Sequence, residues 1–437
     1  MIRVLVTSLW ASLAACPALA AVEIKDVTSP GGIRAWLVEE HSIPFVALEL
    51  RFRGGTSLDA PGKRGAINLM TALIEEGAGD LDSQGFAAAR ESLAADISFD
   101  SYSDAVSVSA RFLTENRDAS ADLLRKALTE TRFDQDAIDR VRAQVASIIQ
   151  SDAKDPERIA GKAFDALAYG DHPYATSQNG TLDSLAALTQ ADMFQARDRV
   201  IARDRVFVSA VGDITEAELG LMLDRLLGGL PATGAEMPPR ADFALTGGVS
   251  LTDFASPQSV VVFGQVGLKR DDPDFFAAYV LNHILGGGGF GSRLMDEVRE
   301  KRGLTYGIGT YLLPMDLAET WQGSVQSANE KVAEAIEVIR AEWAKVAAGE
   351  VTEAELAAAK TYLTGSYPLR FDGNGPIADI LVGMQMQGLP PDYVVNRNSY
   401  IEAVTLADLK RVAAQWLKPD ALRFVVVGQP VGLTATD

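Results

Sequence analysis

The run Val208-Ser209-Ala210-Val211-Gly212 returns 216 residues later as Phe424-Val425-Val426-Val427-Gly428. A short apolar run that ends at a glycine predicts a buried strand. Each copy follows an amphipathic helix, and the two helices open at the same offset on Thr189-Gln190-Ala191-Asp192 and Thr405-Leu406-Ala407-Asp408. Two helix–strand units in the same order and at one spacing indicate that the chain is an internal duplication.

A second pair of matching stretches lies earlier in each half. Residues 44–54 match residues 257–267 at an offset of 213, and both stretches favour strands. A helical pattern follows in each half, at 65–75 and at 273–285. Between the halves, residues 231–239 contain three prolines and a glycine, a composition typical of linkers. We therefore predict a first half over 21–230, a linker over 231–242 and a second half over 243–437.

The order of elements within each half predicts the fold class. Strands come first, helices follow, and a helix with a final strand closes the half. This order is typical of the α+β class, with helices packed on one face of a mainly antiparallel sheet. The apolar residues of the long helices recur at helical spacing, which indicates core packing. These helices are predicted at 119–131, 136–152, 331–348 and 353–363.

Charge and the N-terminus restrict the partners and the compartment. The net charge of -19 makes nucleic acid an unfavourable partner. A mostly apolar N-terminal stretch ends in Ala18-Leu19-Ala20, which predicts a signal peptide over 1–20 and a periplasmic or secreted protein. The alternative is a lipoprotein anchored at Cys16, because Leu13-Ala14-Ala15-Cys16 resembles a lipobox. No later run has the length of a transmembrane helix.

The side chains that usually carry chemistry are sparse in this sequence. His41, His172 and His283 are far apart, so no pair of them has the helical spacing of metal ligands, and we expect no metal in this chain. The glycine run at 286–291 fits G-x-G-x-x-G, but a helical pattern precedes it where a dinucleotide site needs a strand. A serine-nucleophile motif is absent, and cleavage after Ala20 would leave no thiol.

One stretch of the second half is distinctive. Leu285-Gly286-Gly287-Gly288 leads to Ser292-Arg293-Leu294 and then to Glu297-Val298-Arg299-Glu300-Lys301-Arg302-Gly303-Leu304-Thr305-Tyr306. It resembles the second-half signature of the pitrilysin, insulinase and mitochondrial processing peptidase family of inverted-motif zinc peptidases. Further matching pieces are Glu40-His41-Ser42-Ile43-Pro44, Glu75-Glu76-Gly77-Ala78-Gly79 and His172-Pro173-Tyr174. The resemblance implies two homologous halves that form a clam-shell around an inner cavity.

The resemblance also shows what this chain has lost. Active members carry H-x-x-E-H on the helix after the first strands, where the two histidines bind zinc and the glutamate activates water. Here Asn68 replaces the first histidine, Thr71 the glutamate and Ala72 the second histidine. The downstream glutamate ligand is also missing, since that helix reads Ala146-Ser147-Ile148-Ile149-Gln150.

The second-half pair of the family is retained as Arg299 and Tyr306. In the family these residues reach the substrate backbone near the zinc, so the resemblance implies a substrate-binding role. It further implies a heterodimer, in which a homologous H-x-x-E-H subunit carries the zinc and the two chains cleave peptides or unfolded proteins jointly. Two alternatives stay open: an inactive structural or assembly subunit, and a stand-alone periplasmic peptide-binding protein.

Overall fold

The computed structural model describes residues 23–436, which contain two large sheets. The first sheet has the order β1-β2-β8-β3-β7-β6. Its strands are β1 (Lys25–Thr28), β2 (Arg34–Glu39), β3 (Phe45–Arg53), β6 (Asp96–Ser101), β7 (Ala105–Leu113) and β8 (Val206–Gly212). The second sheet has the order β11-β12-β10-β13-β9. Its strands are β9 (Gly248–Asp253), β10 (Gln258–Val266), β11 (Thr305–Pro314), β12 (Glu319–Ala328) and β13 (Arg423–Gly428). A small hairpin is formed by β4 (Gly77–Ala78) and β5 (Leu81–Asp82).

Helices fill the chain between the strands. In the first half they are α1 (Ala66–Leu73), α2 (Ser83–Ser92), α3 (Arg117–Thr129), α4 (Gln135–Asp152), α5 (Pro156–Tyr169), α6 (Leu182–Ala186), α7 (Gln190–Val200) and α8 (Glu216–Leu227). In the second half they are α9 (Phe275–Asn282), α10 (Val332–Ala347), α11 (Glu353–Ser366), α12 (Asn374–Met386), α13 (Tyr393–Ala403) and α14 (Leu406–Trp416).

The repeated Thr-x-x-Asp motif has a local physical cause. Thr189 caps α7 and Thr405 caps α14, and in each case the aspartate three residues later bonds back to the threonine. Such a capping box satisfies backbone donors that the first helical turn leaves free. The repeated Thr-x-x-Asp motif therefore marks the start of a helix in each half.

Both sheets are mainly antiparallel, as the sequence predicted. β3 pairs antiparallel with β7 and β8, and β10 pairs antiparallel with β12 and β13. Only β2–β8 and β13–β9 run parallel. Each sheet buries one face against the helices of its own half, in two separate large cores. These observations confirm the predicted α+β class with two similar halves.

The sequence did not reveal that each half lends one helix to the other. α5 packs on β10 and β13 of the second sheet, and α12 packs on β8 and β3 of the first. The side chains beneath α5 include Val260 and Val427, whereas their neighbours Val261 and Val426 belong to the core on the opposite face. Side chains alternate between the two faces of a strand. The exchanged helices therefore cover the inner faces, where the halves of the clam-shell meet.

Gly212, at the end of β8, explains why both apolar runs end in Val-Gly. Its φ is 136°, and a Cβ atom there would collide with the carbonyl oxygen of Phe45. Gly428 has a φ of 155° and meets Ser259 in the same way. A side chain at either position would need strained backbone and a displaced neighbouring strand.

Gly212→Ala is accordingly expected to lower the free energy of unfolding by about 2–4 kcal/mol, from backbone strain and the clash with Phe45. Gly365→Ala is the matched control, because Gly365 is an exposed position of α11 with open space where a side chain would be. That control should be neutral or stabilising by up to about 1 kcal/mol. Denaturant unfolding measures both variants, and equal effects would contradict the assigned role of Gly212.

None of the helices among residues 23–436 combines the length and apolar composition needed to cross a bilayer. The predicted signal peptide, its cleavage after Ala20 and the alternative anchor at Cys16 all lie outside the described residues.

Candidate functional site

The glycine-rich signature forms an irregular connection from α9 to β11. α9 runs into a wide π-type turn at His283–Gly287, a tight turn at Gly289–Gly291 follows, and a second π-type turn spans Met295–Glu300. Segments with this widened geometry are uncommon and frequently occur at functional sites. Arg299 lies in the second π-type turn, and Tyr306 lies at the start of β11, which is an edge strand of the second sheet.

Arg299 and Tyr306 line one cavity of about 430 Å³, together with Gln258 and Lys331. The Arg299 guanidinium pairs with Glu300 and lies 4.7 Å from the ring centre of Phe290. Tyr306 is 88% exposed. An aromatic side chain this open, beside a cation and a cavity, has its donor group free for a ligand. The structure thus brings together the two residues that the sequence singled out in the second half.

A larger cavity of about 620 Å³ opens on Tyr306 as well. Its wall from the second half includes Tyr306, Tyr311 and Gln326, and its wall from the first half is the start of α5, including Glu157. Gln326 donates to the Glu157 carboxylate across this cleft. Tyr306 therefore stands in a cleft whose two sides come from different halves.

The degenerate positions lie together on α1, and each side chain has a structural explanation. The Asn68 amide donates to Asn179 Oδ1 at 2.8 Å, and its oxygen accepts from Ser101 Oγ at 2.7 Å. The buried Thr71 hydroxyl donates to the Ile67 carbonyl oxygen at 2.8 Å. Ala72 presents an exposed methyl group. None of the three offers a metal ligand of the kind the family uses.

The surroundings of α1 do not restore the site. Ile148, in the α4 stretch where the family has its third ligand, is 49% exposed. The Glu75 carboxylate pairs with Arg90, while burial raises its pKa. Glu76 accepts two hydrogen bonds from Arg140, and these bonds lower the pKa of Glu76. Among residues 23–436, no group of three or more His, Cys, Asp or Glu side chains is arranged to hold a metal ion. The residues present therefore do not fit zinc.

The three histidines occupy separate places. His41 Nδ1 lies 2.8 Å from Asp213 Oδ1, and this bond raises the pKa of His41. Burial lowers the pKa of His172, which packs against Tyr174. Burial also lowers the pKa of His283, whose ring stacks on Tyr362.

Sequence reasoning missed one polar residue of the inner surface, Asp165 in α5. Burial raises the pKa of its carboxyl to about 7. In the sequence, Asp165 is an acid that follows Phe164 within an amphipathic helical pattern. An acid in such a pattern is typical of the solvent-exposed face of a helix, so the sequence alone does not single Asp165 out.

Comparison with known proteins agrees with this geometry. The sequence profile described as the peptidase M16 inactive domain matches residues 187–363. A non-peptidase homolog, YmxG of Helicobacter pylori, is 24% identical over 390 residues, covering 89% of this chain and 90% of that protein. An uncharacterized zinc protease of Mycobacterium leprae is 27% identical over 347 residues, covering 77% of each chain.

A solved structure supports the assignment over nearly the whole chain. The crystal structure of a peptidase M16 inactive domain from Pseudomonas fluorescens superposes with a TM-score of 0.88 at 27% identity, covering 95% of this chain and 100% of that one. The two-halved architecture, the second-half signature and these likenesses agree. Along most of its length the chain resembles inactive members of the M16 peptidase family, and its sequence has no H-x-x-E-H motif.

Proposed function

We propose that this chain is the zinc-free, substrate-binding subunit of a two-subunit metallopeptidase. The observation that carries the proposal is the contrast between its halves. Arg299 and Tyr306 are open to a cleft in the second half, while Asn68, Thr71 and Ala72 leave α1 without ligands. A homologous H-x-x-E-H subunit would hold the zinc.

Arg299 and Tyr306 would act on the peptide backbone. A guanidinium and a phenol are both hydrogen-bond donors, and donors aimed at a carbonyl oxygen hold it and stabilise negative charge that develops there. Tyr306 is free to serve in this way because its side chain is exposed.

The edge strand gives the peptide a place to bind. β11 is the outermost strand of its sheet, and its pairing with β12 shifts register between Thr305 and Ile308, beside Tyr306. An edge strand leaves backbone donors and acceptors free on one side, so an extended peptide can add as a further strand. This position would set the peptide backbone within reach of Tyr306.

The test is cleavage of an unfolded protein by the co-purified pair. Arg299→Ala and Tyr306→Phe are each expected to lower kcat/KM about 100-fold or more, the usual effect of removing one donor to a developing oxyanion. Arg370→Ala and Tyr362→Phe are matched controls at exposed positions of the same half and should retain activity.

The outcomes separate the proposal from its alternatives. If complexes that contain Arg299→Ala or Tyr306→Phe cleave the substrate as fast as the unaltered complex, the active site is not shared between the subunits. This chain would then be a structural or assembly subunit. A chain that binds peptide tightly but fails to co-purify with any H-x-x-E-H subunit would be a stand-alone peptide-binding protein. Co-purification must be equal for all variants, so that lost activity reports the site.

We also propose that the pair works in the periplasm or outside the cell. The support is the cleavage pattern before Ala21 in the sequence. Mass spectrometry of the mature N-terminus is expected to show Ala21 first. If the mature chain instead begins with a lipidated Cys16, this prediction is wrong and the protein is anchored to a membrane.

A further inference from the structure

A lysine shares the cavity of about 430 Å³ with Arg299 and Tyr306. Lys331 lies immediately before α10 and lines this cavity. Its ammonium Nζ donates to the carbonyl oxygen of Gly303 at 3.1 Å. The Gly303 amide in turn donates to the carbonyl oxygen of Arg299 at 2.8 Å. Lys331 is therefore attached to the segment that joins Arg299 to Tyr306.

The Lys331 ammonium keeps hydrogen-bonding capacity for a ligand. It carries three N–H donors, and the bond to Gly303 uses one of them. Lys331 is exposed, and among residues 23–436 no carboxylate lies within ion-pair distance of its Nζ. By contrast, the nearby Lys301 pairs with Glu297. Two charged donors of Lys331 are therefore open to a ligand in the cavity.

The charge of the cavity favours an anion. Its charged lining residues are Arg299, Lys331 and Glu300. Glu300 pairs with Arg299, so one carboxylate faces two cations and the lining carries a net positive charge. Glu330 and Glu334, the acids nearest to Lys331 in sequence, do not line the cavity. In a chain with a net charge of -19, such a positive space is a local exception that attracts acidic groups.

The cleft on the other side of Tyr306 has the opposite charge. Tyr306 also lines the cavity of about 620 Å³, whose charged lining residues are Asp155, Glu157 and Arg158. Two acids and one base give that lining a net negative charge. The charge of the lining therefore changes sign at Tyr306. A peptide with an acidic group is thus favoured in the register that sets this group beside Lys331.

A carboxylate is the ligand group that suits the donors of the positive cavity. Ammonium and guanidinium groups form short, charge-assisted hydrogen bonds with carboxylate oxygens. Lysine places a compact charge at the end of a flexible stem, so its Nζ can follow a carboxylate without requiring one fixed geometry. A volume of about 430 Å³ is large enough for one acidic residue of a bound peptide.

We propose that Lys331 binds a carboxylate of the peptide and so selects substrates with an acidic group close to the residue that meets Tyr306. The proposal rests on the peptide-binding function proposed above and adds a specificity to it. Arg299 remains assigned to the peptide backbone, and Lys331 supplies the charge that binds the carboxylate. This carboxylate belongs either to an aspartate or glutamate side chain or to the C-terminus of the peptide.

The test uses blocked, otherwise neutral decapeptides that differ in one residue, glutamate or glutamine, placed at each internal position in turn. Fluorescence anisotropy at pH 7 measures binding to the mature chain and to its complex with the zinc-bearing subunit, with a chelator present so that the peptides stay intact. At one or two neighbouring positions, the glutamate peptide is expected to bind about 10-fold more tightly, the usual effect of one charge-assisted hydrogen bond.

Substitutions of Lys331 separate its charge from its structural contact. Lys331→Met keeps the apolar stem and should reduce the ratio of affinities to near one, whereas Lys331→Arg keeps the charge and should retain most of the ratio. Lys418→Met is the matched control, because Lys418 is exposed in the same half and its Nζ also donates to a carbonyl oxygen, that of Ala414 at 2.9 Å. This control should leave the ratio unchanged. If Lys331 only held Gly303 in place, Lys331→Met would weaken both peptides equally and the ratio would survive.

The two sources of the carboxylate are distinguished with the glutamine peptides. Glutamine peptides of graded length are prepared with a free C-terminus and as the amide. If the free acid binds more tightly to the unaltered chain and not to Lys331→Met, the C-terminal carboxylate is the group that Lys331 binds.

Each remaining result decides the matter. Equal affinities of the glutamate and glutamine peptides at every position, together with equal affinities of acids and amides, would overturn the role of Lys331 while leaving peptide binding intact. A ratio that survives Lys331→Met would overturn it as well. Failure of every peptide to bind, both to the chain alone and to the complex, would overturn the proposed function itself.

Discussion

Replacing Phe164 by alanine is expected to lower the free energy of unfolding by about 3–5 kcal/mol. Phe164 lies on α5 and is 1% exposed. Its ring packs on β10 of the other half at Gly264, where a Cβ atom would come within 2.9 Å of the ring. The absence of a side chain at Gly264 makes room for the phenylalanine. Truncation would leave a cavity between a helix of one half and the sheet of the other.

Leu167→Ala is the matched control for this prediction, because Leu167 lies on the same helix and is 37% exposed. Its truncation is expected to change stability by about 0.5 kcal/mol or less. Denaturant unfolding of both variants, at one pH, gives the comparison. If the free energy of unfolding of the Phe164→Ala variant is no lower than that of the Leu167→Ala variant, α5 is not packed on the second sheet.

Replacing Asp165 by asparagine is expected to have the opposite sign and to stabilise the chain by about 1–3 kcal/mol at pH 8. Burial raises the pKa of this carboxyl to about 7, whereas an unfolded chain titrates near 4. The native state therefore binds more protons than the unfolded state between these values. The contribution of the Asp165 carboxyl to the free energy of unfolding therefore falls as the pH rises from about 4 to 7. Asparagine removes the unfavourable charge and keeps the shape.

The pH dependence identifies the cause. At pH 5 the native carboxyl is largely protonated while the unfolded one is ionised, so the advantage of Asp165→Asn should fall to about a third of its value at pH 8. Tyr169, Tyr174 and Tyr311 stay neutral throughout, because burial raises the pKa of each. Asp104 and Asp316 are present both in the unaltered chain and in the Asp165→Asn variant, so their own contributions to stability cancel when the two are compared. Thermal unfolding from pH 5 to 8 measures the difference, with Asp171→Asn as control. A destabilised Asp165→Asn at pH 8 would mean that the carboxylate has a partner in the chain.

Phe164 and Asp165 thus affect stability in opposite directions although they are neighbours on α5. Phe164 packs in the core between α5 and the second sheet, whereas burial disfavours the ionised form of Asp165.

Much of the fold was predictable from short stretches of sequence. The capping threonines, Thr189 and Thr405, and the glycines after the final strands, Gly212 and Gly428, depend on backbone geometry within a few residues. Such requirements recur wherever the same local structure recurs, so the duplication was visible as a repeat. The loss of the zinc motif was equally legible, because H-x-x-E-H lies within one helix and Asn68, Thr71 and Ala72 occupy its positions.

Tertiary structure alone decided which surfaces meet. The helical pattern of α5 indicates an apolar face but carries no information about which sheet covers it. α5 packs on Val260 and Val427, which lie far from this helix along the chain. This contact exists only once the two halves are assembled. The clefts beside Tyr306 and the raised pKa of Asp165 follow from the same assembly. The sequence by itself therefore determined the repeated elements and the missing ligands, since those depend on neighbouring residues. The shape of the inner cleft and the environment of each charge in it were decided by contacts between distant segments.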